Sequence, residues 1–209
     1  MTTFIGDVHG KYGAYKSILK QHQNTIQVGD MGVGFRRSQS QAEYMDLNPY
    51  YPNPPYDLMV SSGARFIRGN HDNPDVCKRH KHWIPDGTVE GDMMFVGGAY
   101  SIDMQYRTEG LDWWADEELS QSEFYQIMDI YEAAKPRVMV THDCPEFLVG
   151  YIHSHHFGIS TKTGQALDAM FGLHKPEVWI FGHHHKSFDQ EIKGTRFVCV
   201  AELEVKEID

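Results

Sequence analysis

Five short motifs hold the residues in this chain that could do chemistry. They are Gly6-Asp7-Val8-His9-Gly10, Gly29-Asp30, Gly69-Asn70-His71-Asp72, Thr141-His142-Asp143 and Gly182-His183-His184-His185. Each follows a short apolar run, and the first and last offer two metal ligands at i, i+2 spacing. Carboxylate, amide-oxygen and imidazole donors without a thiolate form a hard-to-borderline set, suited to Mn²⁺, Fe, Zn²⁺ or Ni²⁺. Seven donors (Asp7, His9, Asp30, Asn70, His142, His183 and His185) exceed what one tetrahedral ion needs. They suit two divalent ions about 3.5–4 Å apart that share one carboxylate, as two-metal hydrolases use them. Such a pair activates a bridging water as nucleophile and clamps phosphoryl oxygens as a Lewis acid.

Taken singly the motifs are weak, because a Gly-Asp pair is usually a turn and a histidine after a strand is usually structural. Their order and their common placement after apolar runs favour one shared centre. His184 would point opposite to its neighbours in an extended chain, so it is left outside the expected metal shell. The thirteen histidines also include a cluster at His153, His155 and His156, read as a polar loop or as a rim that touches substrate. His22, His80, His82 and His174 read as surface residues. Cys144, close to His142, reads as an inert thiol, with soft-metal ligation as the minor alternative.

Positioning these motifs requires a series of strands. Short apolar runs at 2–5, 25–28, 64–67, 93–96, 137–141 and 177–181 read as buried strands, and 188–205 as a closing antiparallel hairpin that turns at Lys193-Gly194. Residues 11–21, 120–134 and 163–171 read as helices; Ser120 with Glu123 forms a capping box ahead of the second. The β-α-β order with short connections implies parallel pairs and right-handed crossovers. In open α/β sheets ligands bind beyond the carboxyl ends of the strands, where every motif here falls. Residues 36–62, with Pro49, Pro52, Pro54 and Pro55 among tyrosines, read as a packed surface loop or a lid. A second break runs over 102–118, where the acidic stretch Asp116-Glu117-Glu118 reads as a solvated helix start.

The 209 residues suit one domain spanning 1–209. A hydrophobic content of 41% supports a packed core, and the net charge of −10 argues against non-specific nucleic-acid binding. Three cysteines without a CxxC pair favour a reducing compartment, and no leader or 18-residue apolar run is read, so a cytoplasmic protein is expected.

From Phe4 to about His185 the five motifs, in this order, resemble the calcineurin-like metallophosphoesterase superfamily. The resemblance implies an α/β (α+β) fold, a two-sheet β-sandwich flanked by α-helices, with a dinuclear metal site at the strand C-terminal ends. It implies that Asp7, His9 and His185 hold one ion, that Asn70, His142 and His183 hold the other, and that Asp30 bridges. It also implies that His71 protonates the leaving group or binds phosphate, with Asp72 holding its ring. Mn²⁺ is the expected pair, with Fe, Zn²⁺ or Ni²⁺ also suited. Protein Ser/Thr phosphatases of this superfamily usually continue Gly-Asp into Asp-Arg-Gly. Here Asp30 is followed by Met31-Gly32-Val33-Gly34-Phe35, which argues against action on phosphoproteins. Arg36, Arg37, Arg68 and Arg107 are the candidate replacements for that substrate-binding arginine.

The expected activity is hydrolysis of phosphate esters, nucleotides included, by in-line attack of a metal-bridging hydroxide. The alternatives are a phosphodiesterase or nuclease acting on cyclic nucleotides or nucleic-acid ends and, more remotely, a non-catalytic scaffold with the same fold. The sequence does not choose among substrates or oligomeric states.

Overall fold

A computed structural model describes residues 1–36, 53–153 and 159–209. In chain order the strands are β1 (Thr2–Ile5), β2 (Ile26–Gln27), β3 (Arg65–Phe66), β4 (Val89–Glu90), β5 (Met93–Val96), β6 (Val138–Thr141), β7 (Val178–Phe181), β8 (Phe188–Ile192), β9 (Thr195–Cys199) and β10 (Val205–Ile208). The helices are α1 (Tyr12–Leu19), α2 (Tyr56–Ser62), α3 (Pro74–Cys77), α4 (Gln121–Ala134), α5 (Val149–Ile152) and α6 (Lys162–Leu173). They flank two mixed sheets, one ordered β10-β1-β2-β3 and the other β4-β5-β6-β7-β9-β8. The pairs β1–β2, β2–β3, β5–β6, β6–β7 and β7–β9 are parallel; antiparallel pairs close both edges of the larger sheet and the β10 edge of the smaller one, whose other edge is β3. No helix among the described residues is long and apolar enough to cross a membrane.

The strand residues alternate between two apolar layers, as a period of two requires. Phe95, Val140, Ile180 and Val198 meet Phe4, Ile26 and Ile67 of the smaller sheet between the sheets. Met94, Met139, Trp179 and Phe197 face the other way, against Phe124, Ile127 and Tyr131 of α4 and Leu167 and Met170 of α6. Ile5 and Phe66 pack outward against Tyr15 and Leu19 of α1 and Met59 of α2. Burial on both faces is why these strands read as continuous apolar runs rather than alternating ones.

The expected hairpin forms, with Phe188 opposite Cys199 and Ile192 opposite Thr195. The capping box at Ser120 and Glu123 is present at the start of α4. The stretch read as a loop over 36–62 contains α2, a correction. Pro55 stands at its N-cap, so the prolines lie before the helix and leave its backbone donors free. The part of that stretch over 37–52, with Arg37, Pro49 and Pro52, lies outside the described residues, as do His155 and His156. The short edge strands β4 and β10 have no counterpart in the reading by apolar runs. His82, read as a surface residue, is buried, with Nδ1 3.0 Å from the Ala64 carbonyl.

Candidate metal centre

Loops at the carboxyl ends of β1, β2, β3, β6 and β7 carry the seven donors to one edge of the two sheets. Backbone hydrogen bonds tie these loops together. Val8 and His9 amides both donate to the Asp30 carbonyl (3.0 and 2.8 Å), and the Gly182 amide donates to the His142 carbonyl (3.0 Å). Four of the donor residues occupy the left-handed region: His9 (φ 47°), Asp30 (φ 58°), His183 (φ 62°) and His185 (φ 53°). Such conformations cost side-chain-bearing residues roughly 1–3 kcal/mol each and persist where surroundings enforce them, often at functional sites. Gly69 is needed for a different reason. A Cβ there would collide with Asp30 Oδ1 and with His142 Nε2 (2.6 Å), so only glycine lets β3 and its loop approach this closely.

The donor atoms fall into two groups that share Asp30. Asp7, His9, Asp30 and His185 place one ligand atom each within 4.8 Å of one another, and so do Asp30, His142 and His183. In the first, His9 Nε2 is 2.9 Å from His185 Nε2 and 3.7 Å from Asp30 Oδ2, and His185 Nε2 is 3.0 Å from Asp7 Oδ2. In the second, His142 Nε2 lies 3.3 Å from Asp30 Oδ1. Asn70 completes it, its Oδ1 3.2 Å from His142 Nε2 and 3.1 Å from His183 Nδ1. One oxygen of Asp30 therefore faces each group. The spacing and the oxygen and imidazole chemistry fit divalent ions of the borderline class.

The environment holds each donor in place. His142 Nδ1 lies 2.8 Å from the Val28 carbonyl, which fixes Nδ1 as the donor and leaves Nε2 for the centre. Asn70 Nδ2 donates to Ser101 Oγ (3.0 Å), and the Ser101 hydroxyl and amide donate to Glu117 (2.6 and 2.7 Å). Glu117 is buried, not solvated as the acidic stretch was expected to be. Apolar patterning could not reveal it, because its partners are single polar groups distant in sequence.

The carboxylate and imidazole donors shift one another's titration. Burial works against a charged His142, but Asp30 beside it and then Asp7 outweigh that and raise its pKa to about 10. Burial likewise opposes the Asp30 carboxylate, yet His142 holds it well below the usual carboxylate range. Burial pushes His183 down to about 4.

His71 borders the centre. Its amide donates to Asp30 Oδ1 (2.7 Å), and its ring stacks on Phe35 at a centroid distance of 4.9 Å. The expected support from Asp72 is not formed, a correction. Both Asp72 oxygens are taken by the backbone amides of Met31, Gly32, Val33 and Gly69, at 2.7–3.2 Å. Asp72 therefore pins the loop after β2 against the loop after β3. The partner of His71 is Arg107, whose Nη2 lies 2.8 Å from His71 Nε2. Burial, with the Arg107 charge adding to it, takes the His71 pKa down to about 3.

The candidate arginines separate. Arg68 is turned away from the centre and buried, bonding Asp86 Oδ2 (2.8 Å) and the carbonyls of Asp116 and Glu117. It does not line the cavity at the centre. Arg36 is exposed and stands outside the cavity wall, its amide bonded to the Leu111 carbonyl (2.9 Å). Arg107 lines a cavity of about 540 Å³ that opens onto Asp30, Asn70 and His183. Asp103 Oδ1 (2.7 Å) and the Asp112 carbonyl (3.2 Å) steady its guanidinium. His184 belongs to neither of these two groups and lies beside Asp143, Cys144 and His153.

The profile of the calcineurin-like phosphoesterase family matches residues 2–187. No curated protein matches the sequence. Among solved structures, TT1561 of Thermus thermophilus is similar at a TM-score of 0.56 and 11% identity, covering 97% of this chain and 90% of that one. A candidate 5'-nucleotidase from Staphylococcus aureus, in complex with alpha-ketoglutarate, is similar at 0.56 and 13%, over 98% of this chain and 49% of that one. GAP50, the anchor in the inner membrane complex of Plasmodium, is similar at 0.52 and 10%, over 96% and 71%. At these identities the likeness concerns the fold.

Proposed function

The chain belongs to the calcineurin-like phosphoesterase family, and from that membership we propose that it hydrolyses phosphate esters at a dinuclear metal centre. The observation that supports this reading is Asp30, whose Oδ2 faces His9 at 3.7 Å while its Oδ1 faces His142 at 3.3 Å. In this proposal Asp7, His9 and His185 hold one ion, Asn70, His142 and His183 hold the second, and Asp30 bridges. Mn²⁺ is the pair we propose. The bound ions would supply an activated water and Lewis-acid stabilisation of the phosphoryl oxygens.

The remaining work falls to the protein. The buried carboxylates of Asp7 and Asp30 would offset the mutual repulsion of two bound cations. Arg107 presents a guanidinium to the cavity, where its planar donors match a phosphoryl group and take the place of the arginine missing after Asp30. His71, neutral at ordinary pH, accepts from Arg107 and orients it while Phe35 fixes the ring. General acid catalysis by His71 would need a proton that burial and Arg107 both disfavour. Asp72 acts through the backbone it holds. The three free cysteines, all buried, are compatible with a cytoplasmic setting.

A second reading, hydrolysis of diesters, is favoured by the cavity. About 540 Å³ leaves room for an organic substituent beyond the phosphoryl group. The test is an assay of the Mn²⁺-loaded protein on p-nitrophenyl phosphate and on its bis-ester. Faster turnover of the monoester supports the lead reading, and faster turnover of the bis-ester supports the second. No turnover of either by protein that holds two ions would overturn both.

A further inference from the structure

Four side chains that the dinuclear centre does not use converge on its cavity wall. His184 Nε2 lies 3.2 Å from Cys144 Sγ and 3.3 Å from Asp143 Oδ1. One ligand atom each from Asp143, Cys144 and His184 falls within 4.8 Å of the other two. His153 Nε2 stands 3.2 Å from the opposite nitrogen, His184 Nδ1. All four residues line the cavity of about 540 Å³.

We propose that Asp143, Cys144 and His184 form a third metal site that takes a single soft-to-borderline cation, Zn²⁺ in preference to Mn²⁺. Tetrahedral zinc, with bonds of roughly 2.0–2.2 Å to nitrogen and oxygen and 2.3 Å to sulfur, places such donors roughly 3.3–3.6 Å apart. The two separations from His184 Nε2, 3.2 and 3.3 Å, need adjustments of a few tenths of an ångström, and the third donor pair lies within 4.8 Å. The arrangement around His184 has the form of a metal-bound imidazole: one nitrogen faces the other donors and a polar group holds the second. Three protein donors leave a coordination position for water or a ligand, as in open zinc sites. Preference follows from Cys144. A thiolate suits zinc and suits manganese poorly, whereas the seven donors of the dinuclear centre include no sulfur. Cys144 loses its proton on binding, and the ion takes the thiolate lone pair.

Cobalt titrated into metal-free protein tests this, because a cobalt–thiolate bond gives a near-ultraviolet charge-transfer band that nitrogen and oxygen ligands do not. The expected result is a band whose plateau corresponds to one cobalt–thiolate bond per chain, whatever cobalt the dinuclear centre also takes up, and which disappears on adding Zn²⁺ and persists on adding Mn²⁺. Cys144→Ser should abolish it and His184→Gln should weaken or abolish it, with folding checked by circular dichroism. A measurement that needs no variant accompanies these. Zn²⁺ should protect Cys144 from alkylation, located by peptide mass mapping, and leave Cys77 and Cys199 unchanged. Absence of the band with cobalt in excess overturns the site. So does a band that survives Cys144→Ser, or alkylation of Cys144 that zinc does not slow. The dinuclear reading stands or falls separately, on whether the protein binds two Mn²⁺ ions.

Discussion

Arg107 Nη2 lies 2.8 Å from His71 Nε2, and both side chains border the cavity beside Asp30. The contact makes His71 an acceptor. A guanidinium has donors only, so the nitrogen that faces it must offer a lone pair. His71 Nδ1 is then the protonated nitrogen, and it is buried without a partner among the described residues. On the proposed function, the pair would aim a cation at a bound phosphoryl group.

Arg107→Ala should lower kcat/KM by roughly 10–100-fold, since a hydrogen bond to a charged group is worth about 1.5–3 kcal/mol. The loss should be equal on an alkyl phosphate and on p-nitrophenyl phosphate, whose leaving groups differ in their need for a proton. His71→Ala should show the same equality, with a smaller loss. A much larger loss on the alkyl phosphate would instead make His71 the general acid.

Metal uptake should release protons at neutral pH. The His142 pKa is raised from 6.5 to about 10 in the metal-free fold, so its Nε2 position carries a proton that an ion must displace. Metal affinity should therefore climb as pH rises from about 6.5 towards about 10. The sign is opposite for metal-free stability. A raised pKa favours the folded state below the unfolded value, and that contribution fades as pH passes through about 10. Calorimetry of Mn²⁺ binding in two buffers of different ionisation enthalpy reads the proton count directly. A count of zero at pH 7.5 would contradict a protonated His142.

Asp30→Asn should weaken both ions together. One of its oxygens faces each ligand group. The affinity loss should exceed the roughly 10–100-fold that removal of an outer partner costs. Retention of two tightly bound ions, by elemental analysis after gel filtration, would show that Asp30 does not bridge.

The motifs were legible because each follows a strand, where an apolar run stops abruptly at a donor, in four of the five just after a glycine. That signal is local, and it located β1, β2, β3, β6 and β7 together with all seven donors that converge. What lay hidden depends on contacts between distant segments. Arg68 and Arg107 look equivalent in sequence, yet Asp86 draws one away and Asp103 steadies the other at the cavity. Asp72 stands next to His71 in the chain but turns to four backbone amides instead. Glu117 sits in an acidic run typical of a solvated surface and is nonetheless buried against Ser101.

Glu117 should act on the centre through Asn70. Its Oε2 accepts the Ser101 hydroxyl proton at 2.6 Å, which leaves Ser101 Oγ as the acceptor for Asn70 Nδ2 at 3.0 Å. The Asn70 amide is thereby held with Oδ1 towards His142 and His183 and its NH₂ away from them. Glu117→Ala frees the hydroxyl to donate instead, so the amide can rotate and present NH₂, which cannot ligate, to the ion. One of the two Mn²⁺ ions should then bind roughly 10–100-fold more weakly, the usual cost of losing the group that orients a ligand. The other ion should keep its affinity. Ser101→Ala should give a similar loss while leaving less of a void. The decisive comparison is a double-mutant cycle with Asn70→Ala. If Glu117 works by orienting Asn70, its removal costs nothing further once Asn70 is gone, and the two effects are far from additive. Full additivity, with a melting temperature that falls equally in both backgrounds, would make Glu117 a packing residue with no bearing on the metal.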